Sequence, residues 1–343
     1  MLSSSLPNPH SYQQMLNRIG WSMCAFIVMF DFISGASAVI DVFAEISSNR
    51  IVYIALTAIS GITSSVAYML PFFLAGVVYY LLSQKNHIQR ISFHIKPARE
   101  FPLLIFAGLA AITAGSIINS WFSDAIGYEI PESLLEGVSY DNPAVVIMYM
   151  TISLSPAFAE EFLFRGVYYN ELRPYGRTQA ILISAALFAL MHQNIEQIFY
   201  TFVIGIVMAI MYEATGSIWC SVFFHMINNE LAFIYTVLDS RYGDAVGPYI
   251  TIFETIYCIL GVISMVILVF YYKKKAQAKA PVYADGIFGQ ASESVSPYDI
   301  TVSPKQIFRG ITTPGIIVFV ALSFASMITT WILIRFLDIG GFW

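Results

Sequence analysis

Glu160 and Glu161 are adjacent carboxylates inside a long apolar run, and Arg165 follows four residues after Glu161. Residues four apart share a helix face, so Glu161 and Arg165 are placed to pair and neutralise each other. Glu160 is turned about 100° around the same helix and is left for other work. Pro156, four residues before Glu160, is expected to kink this helix and release a backbone carbonyl. Of five histidines, His192 and His225 alone fall within apolar runs. His192 closes Phe188-Ala-Leu-Met-His192, and His225 opens His225-Met-Ile-Asn-Asn229, so each motif puts its first and last side chains on one face. A carboxylate and two imidazoles away from bulk water are the parts of general acid–base catalysis on a water molecule. Glu160, His192 and His225 are equally a one-carboxylate, two-histidine ligand set for Zn2+, although the chain has no His-Glu-x-x-His. No nucleophilic triad assembles: Ser155 and Ser221 lack a motif, and Cys220 reads as packing.

The elements that must carry these residues are membrane helices. The chain is 57% hydrophobic and 11% charged, against about a quarter charged in soluble domains. Its net charge of -5, with one basic block at Lys273, Lys274 and Lys275, excludes nucleic acid as a partner class. Cys24, Cys220 and Cys258 all lie in apolar stretches and read as small core residues, not as a disulfide framework. Crossing a bilayer core of about 30 Å takes about 20 apolar residues. Nine such runs are expected, at 20–44, 51–82, 101–126, 144–172, 178–195, 198–213, 217–238, 250–272 and 314–338. The first has no small-residue cleavage site after it and is expected to stay as an anchor.

Loop charge sets the orientation. With a cytoplasmic N-terminus and 51–82 crossing once despite Pro71, the inner loops receive Arg18, Lys85, Arg90, Lys96, Arg99, Arg173, Arg177, the three lysines 273 to 275, Lys279, Lys305 and Arg309. The outer side keeps Arg50 and Arg241, and its 127–143 loop carries Glu129, Glu132, Glu136 and Asp141. Residues 276–313, with Pro281, Pro297 and Pro304, read as a flexible cytoplasmic linker, and the last span as an appendage to an eight-span body. Asp31, Asp41, Glu213, Glu230 and Glu254 read as span ends, helix contacts or cavity linings. At 1.5 Å per residue, Glu160, Glu161, His192 and His225 reach similar depths, about 12 to 20 Å from the cytoplasmic side.

Glu-Glu-x-x-x-Arg, Phe-x-x-x-His and His-x-x-x-Asn, in that order on successive apolar helices, resemble the CPBP family, which holds the type II CAAX prenyl endopeptidases and the bacterial Abi proteins. The resemblance covers about 144–238 and implies an all-α polytopic bundle with a water-filled intramembrane cavity. It implies Glu160, Glu161, Arg165, His192, His225 and Asn229 as catalytic positions, no cofactor, and a protease of a peptide or lipidated protein; a plasma-membrane location is expected because the sequence shows no organelle signal. Glu160 is then the base, His192 orients the water, and His225 with Asn229 stabilises the oxyanion. Four regions follow: spans one to three over 1–143, a catalytic core with span eight over 144–275, the linker over 276–313, and a last span over 314–343. Two other classes stay open at this point, an ion-coupled transporter and a non-proteolytic immunity or scaffold protein.

Overall fold

The computed structural model describes residues 9–83, 91, 93, 99–126, 156–195, 197–279 and 302–337. Among these residues the chain is helical, without strands. Helix α1 is Pro9–Glu45 and α2 is Arg50–Ser83. Between them Asn49 accepts the Ile51 backbone N–H at 2.9 Å through Oδ1, supplying an acceptor for an N–H that the start of α2 leaves without an intrahelical partner. Helix α2 continues through Pro71. Helix α3 is Phe101–Ile126. Helix α4 is α-helical over 156–161, a π-helix over Phe162–Tyr169 and α-helical again over Asn170–Leu172. A 3-10 turn at Arg173–Tyr175 and Gly176, at φ 130, reverse the chain into α5, Arg177–Met191. Then come α6, Ile198–Thr215, α7, Ile218–Tyr242, and α8, Gly247–Lys279. The short α9, Pro304–Ile311, leads into α10, Pro314–Leu337.

The π segment of α4 lies at the centre, touching α2, α5, α6 and α7. Its Leu163, Phe164, Val167 and Tyr168 are fully buried with Phe72, Phe188, Met208 and Phe224 from those neighbours. Helix α3 is held between α6 and α8, and α1 between α2 and α10. Buried polar straps fix the first layer, Ser22 with Tyr168 at 2.8 Å and Tyr79 with Glu171 at 2.9 Å.

Among the described residues, five helices are long and apolar enough to cross a membrane: Ser11–Ala36, Phe101–Ile126, Ile198–Thr215, Gly247–Lys274 and Pro314–Ile332. The chain is thus an all-helical multi-pass membrane protein. The apolar parts of α2, Met69–Ser83, and of α5 are shorter. Helix α7 is long enough but carries His225, Asn228, Asn229 and Glu230, which lower its apolar character. The beginning of the expected span 144–172 and the acidic 127–143 loop lie outside the described residues, as does the backbone before Pro156 whose kink the sequence leads one to expect.

The linker reading of 276–313 needs correction at both ends. Helix α8 runs on to Lys279, and α9 opens with a complete capping box in which Ser303 accepts the Gln306 N–H and the Gln306 side chain accepts the Ser303 N–H. Residues 280–301 lie outside the described residues. The last span is no appendage either. A Cβ on Gly20 would fall 2.1 Å from the Gly315 carbonyl carbon, so α1 and α10 touch backbone to backbone. Asn17 Oδ1 accepts the Gly315 N–H at 2.8 Å at that crossing.

Candidate active site

The central helix delivers three ionisable groups to one point. Glu160, Glu161 and Arg165 are buried, Arg165 being the largest side chain fully withdrawn from solvent. Arg165 Nη1 donates to Glu161 Oε1 at 2.7 Å within one turn of helix. Its Nη2 donates to the Gly205 carbonyl of α6 at 2.8 Å, and its Cζ lies 4.8 Å from the centre of the Phe188 ring. A guanidinium withdrawn from water needs this compensation, an anion, a carbonyl and an aromatic face. Gly205 also lets α6 reach α5, since a Cβ there would press on the Ala185 Cα at 3.0 Å.

His225, on α7, stands between the two carboxylates. Its Nδ1 lies 3.3 Å from Glu161 Oε1 and its Nε2 lies 3.8 Å from Glu160 Oε2. Glu161, already accepting from Arg165, can only accept from Nδ1 as well, so Nδ1 carries the hydrogen. Glu161 is thus shared between a guanidinium and an imidazole, a double duty that its spacing to Arg165 does not reveal.

His192 caps the C-terminus of α5. Its Nδ1 is 2.8 Å from the Phe188 carbonyl oxygen. A carbonyl only accepts, so Nδ1 is the protonated nitrogen and Nε2 of the neutral ring is an acceptor, the form a base requires. The Phe188 ring organises both imidazoles, edge to face with His192 at 4.8 Å and with His225 at 5.9 Å. Asn229 lies on α7 one turn beyond His225, and its Oδ1 accepts from Asn228 Nδ2 at 3.3 Å. Asn228 is buried and accepts from the Tyr200 hydroxyl at 2.5 Å.

Four contributors were not foreseen from the residues. Gly205 acts through its backbone carbonyl, which no side-chain motif signals. Tyr200 and Asn228 meet across 28 positions, although the doubled amide Asn228-Asn229 was a visible hint. Gln193, immediately after His192, has φ 50, the left-handed region that a glutamine rarely adopts. Its Oε1 is buried without a hydrogen-bond partner among the described residues. A strained backbone carrying an unsatisfied buried acceptor next to an imidazole has the marks of a site awaiting a donor.

Among the described residues no group of three His, Cys, Asp or Glu side chains could hold a metal ion, and the two nitrogens of His225 face carboxylates.

Residues 142–231 match the sequence model described as type II CAAX prenyl endopeptidase Rce1-like. That stretch contains Glu160, Glu161, Arg165, His192, His225 and Asn229, together with Gln193, Tyr200, Gly205 and Asn228. No curated protein and no solved structure matches the chain.

Proposed function

We propose that this chain is an intramembrane endopeptidase of the type II CAAX kind, acting on a membrane-associated or lipidated peptide, a reading supported by the match of residues 142–231 to the Rce1-like sequence model. The observation that carries the reading is the convergence of Glu160, Glu161, Arg165 and His225 in one buried cluster, with the Phe188 ring packed against both His225 and His192. Peptide hydrolysis needs a base for water, donors for the developing oxyanion and an acid for the leaving amine.

Glu160 takes a proton from water, oriented by the acceptor Nε2 of His192. The water oxygen bonds to the scissile carbonyl carbon, and the carbonyl oxygen becomes an oxyanion. His225, donating from Nε2–H while its Nδ1–H is held by Glu161, and the Asn229 amide nitrogen stabilise that charge, with Asn229 held at Oδ1 by Asn228. The proton then passes to the leaving nitrogen as the C–N bond breaks, giving a carboxylic acid and an amine. Arg165 fixes Glu161, and Glu161 fixes His225. This scheme needs a water-filled cavity open to one face of the membrane and asks for no metal. Nine crossings with a cytoplasmic N-terminus, in a plasma membrane, remain the topology we propose. The family match does not favour the transporter or the idle scaffold.

The test is cleavage of a prenylated peptide ending in a CAAX sequence by the purified protein in bilayers. Cleavage that survives exhaustive metal removal supports the glutamate–water scheme. Loss on chelation with recovery on adding zinc overturns it and recasts Glu160, His192 and His225 as ligands. The same peptide without its prenyl group reports whether the lipid is recognised.

A further inference from the structure

Away from the cluster, a cavity of about 510 Å³ opens between α3 and α8. The two helices are in close contact further along, where a Cβ on Gly261 would sit 2.4 Å from both Ala110 Cβ and the Phe106 carbonyl oxygen. Toward the start of α8 the cavity is lined by Thr113, Thr251, Glu254, Thr255 and Cys258, and otherwise by aliphatic side chains of α8. Glu254 has no hydrogen bond or ion pair among the described residues, although Ile252, Phe253 and Ile256 around it are exposed on an apolar helix surface. A carboxylate in such a setting ordinarily marks a binding function and has a cationic partner.

The hydrogen bonds of the lining specify that partner. Thr113 donates to the Leu109 carbonyl at 3.0 Å, Thr251 to Gly247 at 3.0 Å and Thr255 to Thr251 at 2.8 Å. Each hydroxyl has spent its only proton on its own helix, so what it offers the cavity is lone pairs. The Tyr257 hydroxyl, 3.0 Å from Thr113 Oγ1, must then be the donor in that contact. With Glu254, the lining is a set of acceptors. It suits a positively charged group rich in N–H donors and offers nothing to a phosphate. It also lacks the aromatic side chains that hold a quaternary ammonium.

Depth identifies the source. The apolar stretch Gly247–Lys274 has 28 residues, about 42 Å of helix, the thickness of a bilayer with its headgroup layers. Glu254 is seven residues in, about 10 Å from that end, which is about 5 Å inside the hydrocarbon boundary. The flexible Glu254 side chain can extend back toward that boundary, where it meets an ammonium belonging to a lipid of the adjoining leaflet. We propose that the α3–α8 cavity binds the primary ammonium headgroup of an ethanolamine phospholipid through Glu254 and the hydroxyl oxygens of Thr113, Thr251 and Thr255. This site is separate from the proposed catalysis and stands or falls without it.

The experiment offers the purified full-length protein equal amounts of phosphatidylethanolamine and phosphatidylcholine and reads the retained lipid by native mass spectrometry. The protein should retain the ethanolamine lipid at least about tenfold over the choline lipid, as hydrogen bonds to a charged group away from water imply. Glu254→Gln should bring the two lipids to within about twofold, since its amide supplies donors to a site built of acceptors. Equal retention by the unaltered protein overturns the proposal, as does an unchanged preference in the variant. A second readout needs no variant. Cys258 lines the cavity and is half-buried, whereas Cys24 and Cys220 are buried. Its maleimide labelling should therefore be slower in ethanolamine-lipid bilayers than in choline-lipid bilayers, and equal rates contradict occupancy.

Discussion

Two glutamate–arginine pairs of identical N–O distance, 2.7 Å, sit in different parts of this molecule. Glu161 and Arg165 are both 0% exposed and lie one turn apart on the central helix. Glu213 and Arg173 are 17% and 26% exposed and lie 40 positions apart. The outer pair is a strap. Arg173 grips Glu213 through Nε and Nη2, Tyr169 donates to the same carboxylate at 2.7 Å, and Arg177 approaches it at 3.5 Å. It ties the end of α4 to the end of α6, using strong geometry where water still screens part of the charge. The inner pair is a poor device for stability, because desolvating both ions costs about as much as their attraction returns. Its value lies in what it holds: Glu161 faces His225, and Arg165 faces Phe188, which packs on both imidazoles. The difference separates a pair that supports the fold from a pair that supports a site.

Arg165→Ala breaks the comparison most severely. It should cost about 3–5 kcal/mol, because the Glu161 charge is left buried without its guanidinium. Removing Glu161 and Arg165 together should restore part of that loss in a thermal or denaturant melt. Identical melting of single and double variants would mean that the pair does not act as a unit. Next in size, Asn229→Ala should slow peptide cleavage by about 100- to 1000-fold with folding retained, the effect of one lost oxyanion donor. Tyr200→Phe removes only the hydroxyl that orients Asn228, so a smaller loss of about fivefold in kcat is expected, with KM unchanged. A loss equal to that of Asn229→Ala would make Tyr200 a direct participant. The smallest effect belongs to the strap: Arg173→Ala should lower stability by about 1 kcal/mol, and the loss should shrink in high salt. A cost as large as that of Arg165→Ala would erase the distinction between the two pairs.

Much of the site was legible because its motifs are local. A Glu and an Arg four residues apart on a helix can meet whatever the tertiary fold, and here they do. What escaped the sequence is what packing decides. The π-helix over Phe162–Tyr169 follows from no residue type, and the carbonyl of Gly205 becomes a ligand for Arg165 only because α6 lies against α4. Gln193 takes its left-handed backbone from the way α5 ends at the site. Helix α9 was missed for a different reason. Its signal, Ser303-Pro-Lys-Gln306, is a capping box with proline at the first helical position, but it sits at the edge of a stretch rich in proline and serine that reads as linker. The fold class followed from composition, whereas span counting is weakest at α7, because the polar residues that make that helix interesting also dilute its apolar signal.

The central claim is that Glu160 and His192 act on one water. A double-variant cycle tests it most directly, with cleavage of a prenylated CAAX peptide measured for the unaltered protein, Glu160→Gln, His192→Ala and the combination, each shown to be folded. Each single change should lower kcat by at least about 100-fold, and the combination should be little worse than either single, because groups that act as a unit lose their function once. Losses that multiply in the combined variant would show two independent contributions and would contradict a shared water.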